Sequence, residues 1–229
     1  MPTDPTSIAD PQFILLTWAA GLAFASGFVS LARIVGPGFI WMTAPVAAIV
    51  SLGGVATSGS WAARGGLVFL VLGAIWARNR PFAGVMLTVA GSLFLVEAAF
   101  IGGAVAALSA TMALGGVTGE MLLGHWYLLD PSLPRWTLRT LAYAGIAGLA
   151  VDSIVLAVGG LPTGGATIAY WVLLATSIVL MAGVLGSLRY PAYSGVMAAT
   201  GLSYLAVLTT LGAVFLGRAL VAGLGPFSN

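Results

Sequence analysis

From Gln12 onward the chain alternates long apolar runs with short breaks, and the breaks carry arginine, proline or glycine. A membrane-spanning helix needs roughly 20 predominantly apolar residues. Eight runs qualify as predicted spans: 12–34, 38–57, 61–77, 82–107, 111–129, 137–158, 166–188 and 194–221. The third is short and begins near Trp61. No charge separates the fourth from the fifth, and a continuous run of that length would overshoot a bilayer. We therefore place a turn near Ser109–Thr111; merging the two runs gives the rival count of seven spans. The predicted fold class is an all-α polytopic membrane protein, a single integral membrane domain over 1–229 with short loops and no soluble domain.

Composition supports this reading. Hydrophobic residues make up 60% of the chain and charged residues 6%, with a mean hydropathy of +1.08. A soluble domain carries about a quarter charged residues. Such a surface cannot be wetted, so the lipid bilayer is the expected surrounding. A net charge of +2 on so few charges gives no sign of a nucleic-acid partner. With no cysteine, the chain has no disulfide, no thiol chemistry and no cysteine-ligated cluster of its own. The opening MPTDPTSIADPQ has two aspartates and no basic residue. A signal peptide needs a positive n-region, so the first run is expected to be a retained helix.

The arginines suggest an orientation. With eight spans, one side receives Arg33, Arg78, Arg80, Arg135, Arg139 and Arg189, and the other Arg64 and Arg218. Positive charge marks the cytoplasmic side. The split therefore favours eight spans, with both termini non-cytoplasmic. The basic complement is arginine only, as in a GC-rich bacterial genome, and the expected location is a bacterial inner membrane. Trp61, Trp76, Trp126, Trp136, Tyr170, Trp171 and Tyr190 fall near predicted span ends, where amphipathic rings favour the headgroup layer.

Three acids lie inside predicted spans: Glu97, Glu120 and Asp152. A carboxylate near the bilayer centre costs roughly 2.5–3.5 kcal/mol on insertion scales, so each is a candidate proton-binding group. The rival reading is a neutral acid that hydrogen-bonds a neighbouring helix for packing. No arginine is predicted at matching depth. Ala144, Gly148 and Asp152 recur every fourth residue, a small-residue stripe that should face another helix. Thr200, Ser203, Val207 and Thr210 share a face of the eighth span and offer hydroxyls to such an acid.

The stretch GEMLLGHWYLLD holds the chain's single histidine. Glu120 and Tyr127 are seven residues apart and share a helix face; His125 lies roughly 140° away from Glu120. The plainer reading is an aromatic interfacial belt. The sharper one is a polar pocket in which Glu120, His125 and Tyr127 meet a quinone headgroup. One histidine supplies neither bis-histidine haem ligation nor a two-histidine zinc site, so no cofactor is expected on the chain's own ligands and quinone is the one candidate. No Walker A, nucleophile-elbow or dinucleotide motif is present.

RPFAGVMLTVAGSLFL (Arg80–Leu95) echoes RYPAYSGVMAATGLSYL (Arg189–Leu205); a parallel repeat of four helices plus four would give this, but the other helices do not align, and chance similarity among Gly/Ala-rich membrane helices is the favoured reading. In helix count the chain resembles the eight-helix, quinol-oxidising membrane subunits of the polysulfide-reductase type. The expected function is an integral membrane subunit of a larger respiratory or photosynthetic electron-transfer assembly, partnered by other membrane subunits. The alternatives are a small proton-coupled transporter and an assembly or scaffold protein.

Overall fold

A computed structural model describes residues 9–223, and the apolar runs within it form eight helices. In chain order they are α1 (Pro11–Leu31), α2 (Pro37–Ser58), α3 (Trp61–Ile75), α4 (Arg80–Gly102), α5 (Ala104–Tyr127), α6 (Arg135–Val158), α7 (Gly165–Ser187) and α8 (Tyr193–Val221). The expectation for the first residues of the chain, up to Ile8, lies outside the described residues. Local chemistry starts several helices. Asp10 accepts the Gln12 amide at 2.8 Å and Ser60 accepts the Ala62 amide at 3.1 Å, each meeting an amide that the helix leaves unpaired. Pro11, Pro37 and Pro81 sit in first turns, where a missing N–H costs nothing.

Seven of these helices are long and apolar enough to cross a bilayer, and the protein is an all-α, multi-pass membrane protein. The exception is α3, with 15 residues. At roughly 1.5 Å per residue it is about 22 Å long, short of the ~30 Å hydrocarbon layer. Both of its ends are tied to neighbouring helices. At one end the Trp41 indole of α2 donates to the Ala74 carbonyl at 3.0 Å, and at the other Ser60 donates to Glu97 of α4 at 2.6 Å. Trp61 and Trp76 flank it, both exposed.

The turn between the fourth and fifth runs is not at 109–111 but at Gly103, whose φ of 87° suits a residue without Cβ. That one residue joins α4 to α5 with no loop, so no polar segment marks the place in the sequence. Ser109 and Thr111 instead lie inside α5, buried, with the Ser109 hydroxyl 3.1 Å from the Ala106 carbonyl of the preceding turn.

The core has two halves that meet at α1 and α5. These are the most enclosed spans, with 72% of each apolar stretch buried against 28% for α7. They cross at Gly21 and Gly115, where a Cβ on Gly21 would lie 2.4 Å from the Gly115 Cα. Only glycine at both positions permits that approach. α1 packs on α2 and α4, and α3 on α4; α5 packs on α6 and α8, and α7 on α8. The last four helices thus repeat the neighbour scheme of the first four, and the echoing segments occupy equivalent places at the starts of α4 and α8.

Helix polarity gathers Arg33, Arg78, Arg80, Arg135, Arg139 and Arg189 at one end of the bundle. Several are fixed there by backbone carbonyls. Arg80 donates to the Arg33 carbonyl at 3.3 Å. Arg139 donates to that of Leu188 at 2.9 Å, and Arg135 clamps the α7–α8 turn through Tyr190, Pro191 and Ala192.

Candidate functional site

The chemistry-bearing side chains converge on α5, which lacks bulk where its neighbours approach. A Cβ on Gly148 would lie 2.2 Å from the Ala113 amide nitrogen, and one on Gly116 2.3 Å from that of Gly145. The stripe expected to face a helix therefore does so at Gly148, against α5. Ala144 is half-buried and lines an apolar cleft of about 300 Å³ between α1, α5 and α6. One turn beyond Gly148, the same geometry carries Asp152 into the interior.

Asp152 has a charged partner inside the bundle. Arg218 of α8 donates from both terminal nitrogens, at 2.9 Å to Oδ2 and 2.7 Å to Oδ1. Ser109 of α5 adds a bond to Oδ1 at 2.7 Å. Arg218 is 1% exposed, and its guanidinium lies 5.2 Å from the centre of the Phe13 ring of α1. Four helices thus surround one fork-to-carboxylate pair. The arginine pattern of the sequence puts Arg218 at the membrane edge, opposite the arginine-rich end, and gives Asp152 no cation; the structure brings the two together. The missed signal was its position: Arg218 falls inside the predicted span 194–221 and is the only charge in α8. A charge inside a span demands a partner.

Glu120 is fully buried and faces α8. Its Oε2 lies against the Ser203 hydroxyl, so Ser203 serves Glu120 rather than Asp152. Ser203 also reaches the Ala199 carbonyl of its own helix at 2.7 Å. A serine hydroxyl has one hydrogen. With that hydrogen on Ala199, the contact with Glu120 needs a hydrogen from the carboxyl group. Oε1 of Glu120 and the hydroxyl of Thr210 are buried without a partner.

The remainder of GEMLLGHWYLLD disperses. His125 is exposed, and its Nδ1 lies 3.1 Å from the Tyr204 hydroxyl of α8. Trp126 covers Gly38 and meets Phe39 edge-on at 6.1 Å. Tyr127 is buried in the core of the second half. Glu120, His125 and Tyr127 therefore have three different surroundings rather than one pocket, and the side chain that His125 meets is Tyr204, which no motif in the sequence marks. Glu97 is half-buried and bonded to Ser60, the residue capping α3, which places it near the end opposite the arginines. Among the described residues, no three histidine, cysteine or acidic groups are placed to hold a metal ion.

Fold and site together define a multi-pass, all-helical membrane protein with a buried polar seam between α5 and α8. Comparison with known protein families, characterised proteins and solved structures finds no match to this chain.

Proposed function

We propose that the protein is an integral subunit of a larger respiratory or photosynthetic electron-transfer assembly, and that it contributes a quinone-headgroup site on the wall formed by α5 and α8. The observation that carries this reading is the His125–Tyr204 pair. Two polar rings are hydrogen-bonded to each other on the exposed face of the bundle, beside the arginine-rich end. An imidazole and a phenol can each donate to a quinone carbonyl oxygen or accept from a quinol hydroxyl. The isoprenoid tail then extends along exposed apolar residues of α8 such as Leu205 and Leu208. Glu120, about a turn and a half deeper on α5, is the acid that takes or returns the proton. The electrons come from partner subunits.

A proton-coupled transporter is the second reading, and Glu120 serves it equally. It receives less support from the shape of the protein. The cleft between α1, α5 and α6 is almost wholly apolar, and the three acids point away from it into helix contacts.

The test is the affinity of a quinone analogue for the purified protein, wild type against His125→Phe and Tyr204→Phe. Each change deletes a hydrogen-bonding group and keeps most of the bulk. A loss of about tenfold or more in each is expected, since an unmade polar pairing costs ~1–3 kcal/mol and 1.4 kcal/mol is a factor of ten. Affinities equal to wild type in both variants would remove the site.

A further inference from the structure

Among the described residues five buried polar atoms have no partner, of which Thr111 Oγ1 lines the α1–α5–α6 cleft and Arg139 Nε lies at the arginine-rich end. The other three, Glu120 Oε1 of α5 and Thr210 Oγ1 and Arg218 Nε of α8, belong to the two helices that pack along one seam. Buried polar atoms are almost always paired, with protein or with ordered water. Three on one seam is therefore a pattern to be explained.

Their spacing is regular. Ser203, Thr210 and Gly217 recur every seventh residue of α8, which is two helical turns, and Arg218 follows directly. All four are buried. Fifteen residues of α8 separate Ser203 from Arg218, about 22 Å at ~1.5 Å per residue, and Thr210 stands midway. Around it the seam is built of small or branched side chains, Ala206, Val207, Ala213 and Val214. Above it is Glu120 against Ser203, with His125 and Tyr204 nearer the arginine-rich end. Below it are Asp152, Ser109 and Arg218, about one turn from the end of α8.

We infer that the α5–α8 seam is a proton-conducting line, in which ordered water links Glu120 to Thr210 and Thr210 to the Asp152–Arg218 pair. Glu120 takes a proton from the His125–Tyr204 end and releases it to water at its free Oε1. The Thr210 oxygen takes that proton into a new O–H bond as its own hydrogen passes onward to the next water, so no charge rests on the threonine. At the far end the Asp152 carboxylate, held by Ser109 and Arg218, takes the proton from water and releases it to water beyond the end of α8, which restores the ion pair. Each step breaks one O–H bond and forms another, and no oxidant or reductant is needed. The line rests on the reading of Glu120 as the proton-binding acid. It goes beyond that reading in giving the proton a route across the membrane and in making Thr210 its relay.

The experiment uses the full chain in liposomes that hold a pH-sensitive dye, with proton entry driven by a potassium diffusion potential. Wild-type liposomes should acidify faster than protein-free ones. Thr210→Val keeps the shape of the side chain but has no hydroxyl, and should slow the flux about tenfold or more, the effect of one relay bond left unmade. Thr210→Ser should restore it. Thermal unfolding of both variants checks that the fold is intact. The proposal is overturned by wild-type flux no greater than that of empty liposomes, or by Thr210→Val conducting like wild type. Quinone-analogue binding should be unchanged in Thr210→Val, which separates failure of the line from failure of the headgroup site.

Discussion

Arg218 holds Asp152 with both of its terminal nitrogens, across 66 residues of sequence and in a site where neither side chain meets solvent. Removing one partner of such a pair leaves an unpaired charge in a dry interior, which costs about 3–5 kcal/mol. Replacing both with apolar residues of similar volume is often neutral. Arg218→Met alone should therefore lower the thermal stability of the purified protein sharply. Asp152→Leu in the same chain should recover most of the loss. If the double variant is no more stable than Arg218→Met, the two residues do not act as a pair.

Gly148 gives a second test. A Cβ there meets the α5 backbone at Ala113 and the carbonyl carbon of Met112, and backbone cannot swing aside as a flexible side chain can. Gly148→Leu should destabilise by at least the ~1–3 kcal/mol of an overpacked core. Gly201, on the open face of α8, has nothing within 4 Å of its Cβ position. Gly201→Leu should be close to neutral in the same detergent melt. Equal melting temperatures for the two variants would place Gly148 on the lipid side.

The structure also sharpens the topology expectation. Arg218 is committed to Asp152 and no longer counts as a loop charge. Six arginines at one end then face Arg64 alone at the other. With that bias, the arginine-rich end should be cytoplasmic and the two termini, which lie outside the described residues, on the opposite side. A reporter fused after Asn229 should be active only outside the cytoplasm. Activity in the cytoplasm would reverse the orientation.

What the sequence revealed follows from what membranes constrain. Away from the α4–α5 junction, hydrophobic length placed the helix ends to within three residues, because lipid offers no partner to an open backbone. The small-residue stripe located the Gly148 contact, because close packing leaves a periodic trace. The α4–α5 turn escaped, since Gly103 does alone what a polar loop usually does. The pairing of Asp152 with Arg218, and of Glu120 with Ser203, escaped for another reason. Both depend on which helices are neighbours across 66 and 83 residues, and helix faces alone do not determine that. His125 was legible as a polar residue at a membrane edge, but its partner Tyr204 lies on α8, a helix whose exposed side reads as lipid-facing.

The state of Glu120 can be read from the balance of hydrogens. Its Oε2 touches a serine whose hydrogen has a second acceptor in the Ala199 carbonyl, and no cation bonds to either of its oxygens. A carboxylic acid satisfies this geometry by donating to the Ser203 oxygen, while Ser203 donates to Ala199. A carboxylate leaves a buried charge with one shared hydrogen between two acceptors. The two states predict opposite effects for Glu120→Gln. The glutamine amide can donate to Ser203 much as the acid does, so the variant should lie within about 1 kcal/mol of wild type, the scale of one neutral hydrogen bond. If Glu120 were ionised, glutamine would relieve a penalty of several kcal/mol per ion and raise the stability markedly. Infrared spectroscopy gives an independent reading. Wild type should show the carbonyl stretch of a protonated carboxyl group that Glu120→Gln lacks and Asp152→Asn retains. A large rise in melting temperature for Glu120→Gln, with no carboxyl band lost, would show that Glu120 is charged and would leave the seam without the proton that both functional readings assign to it.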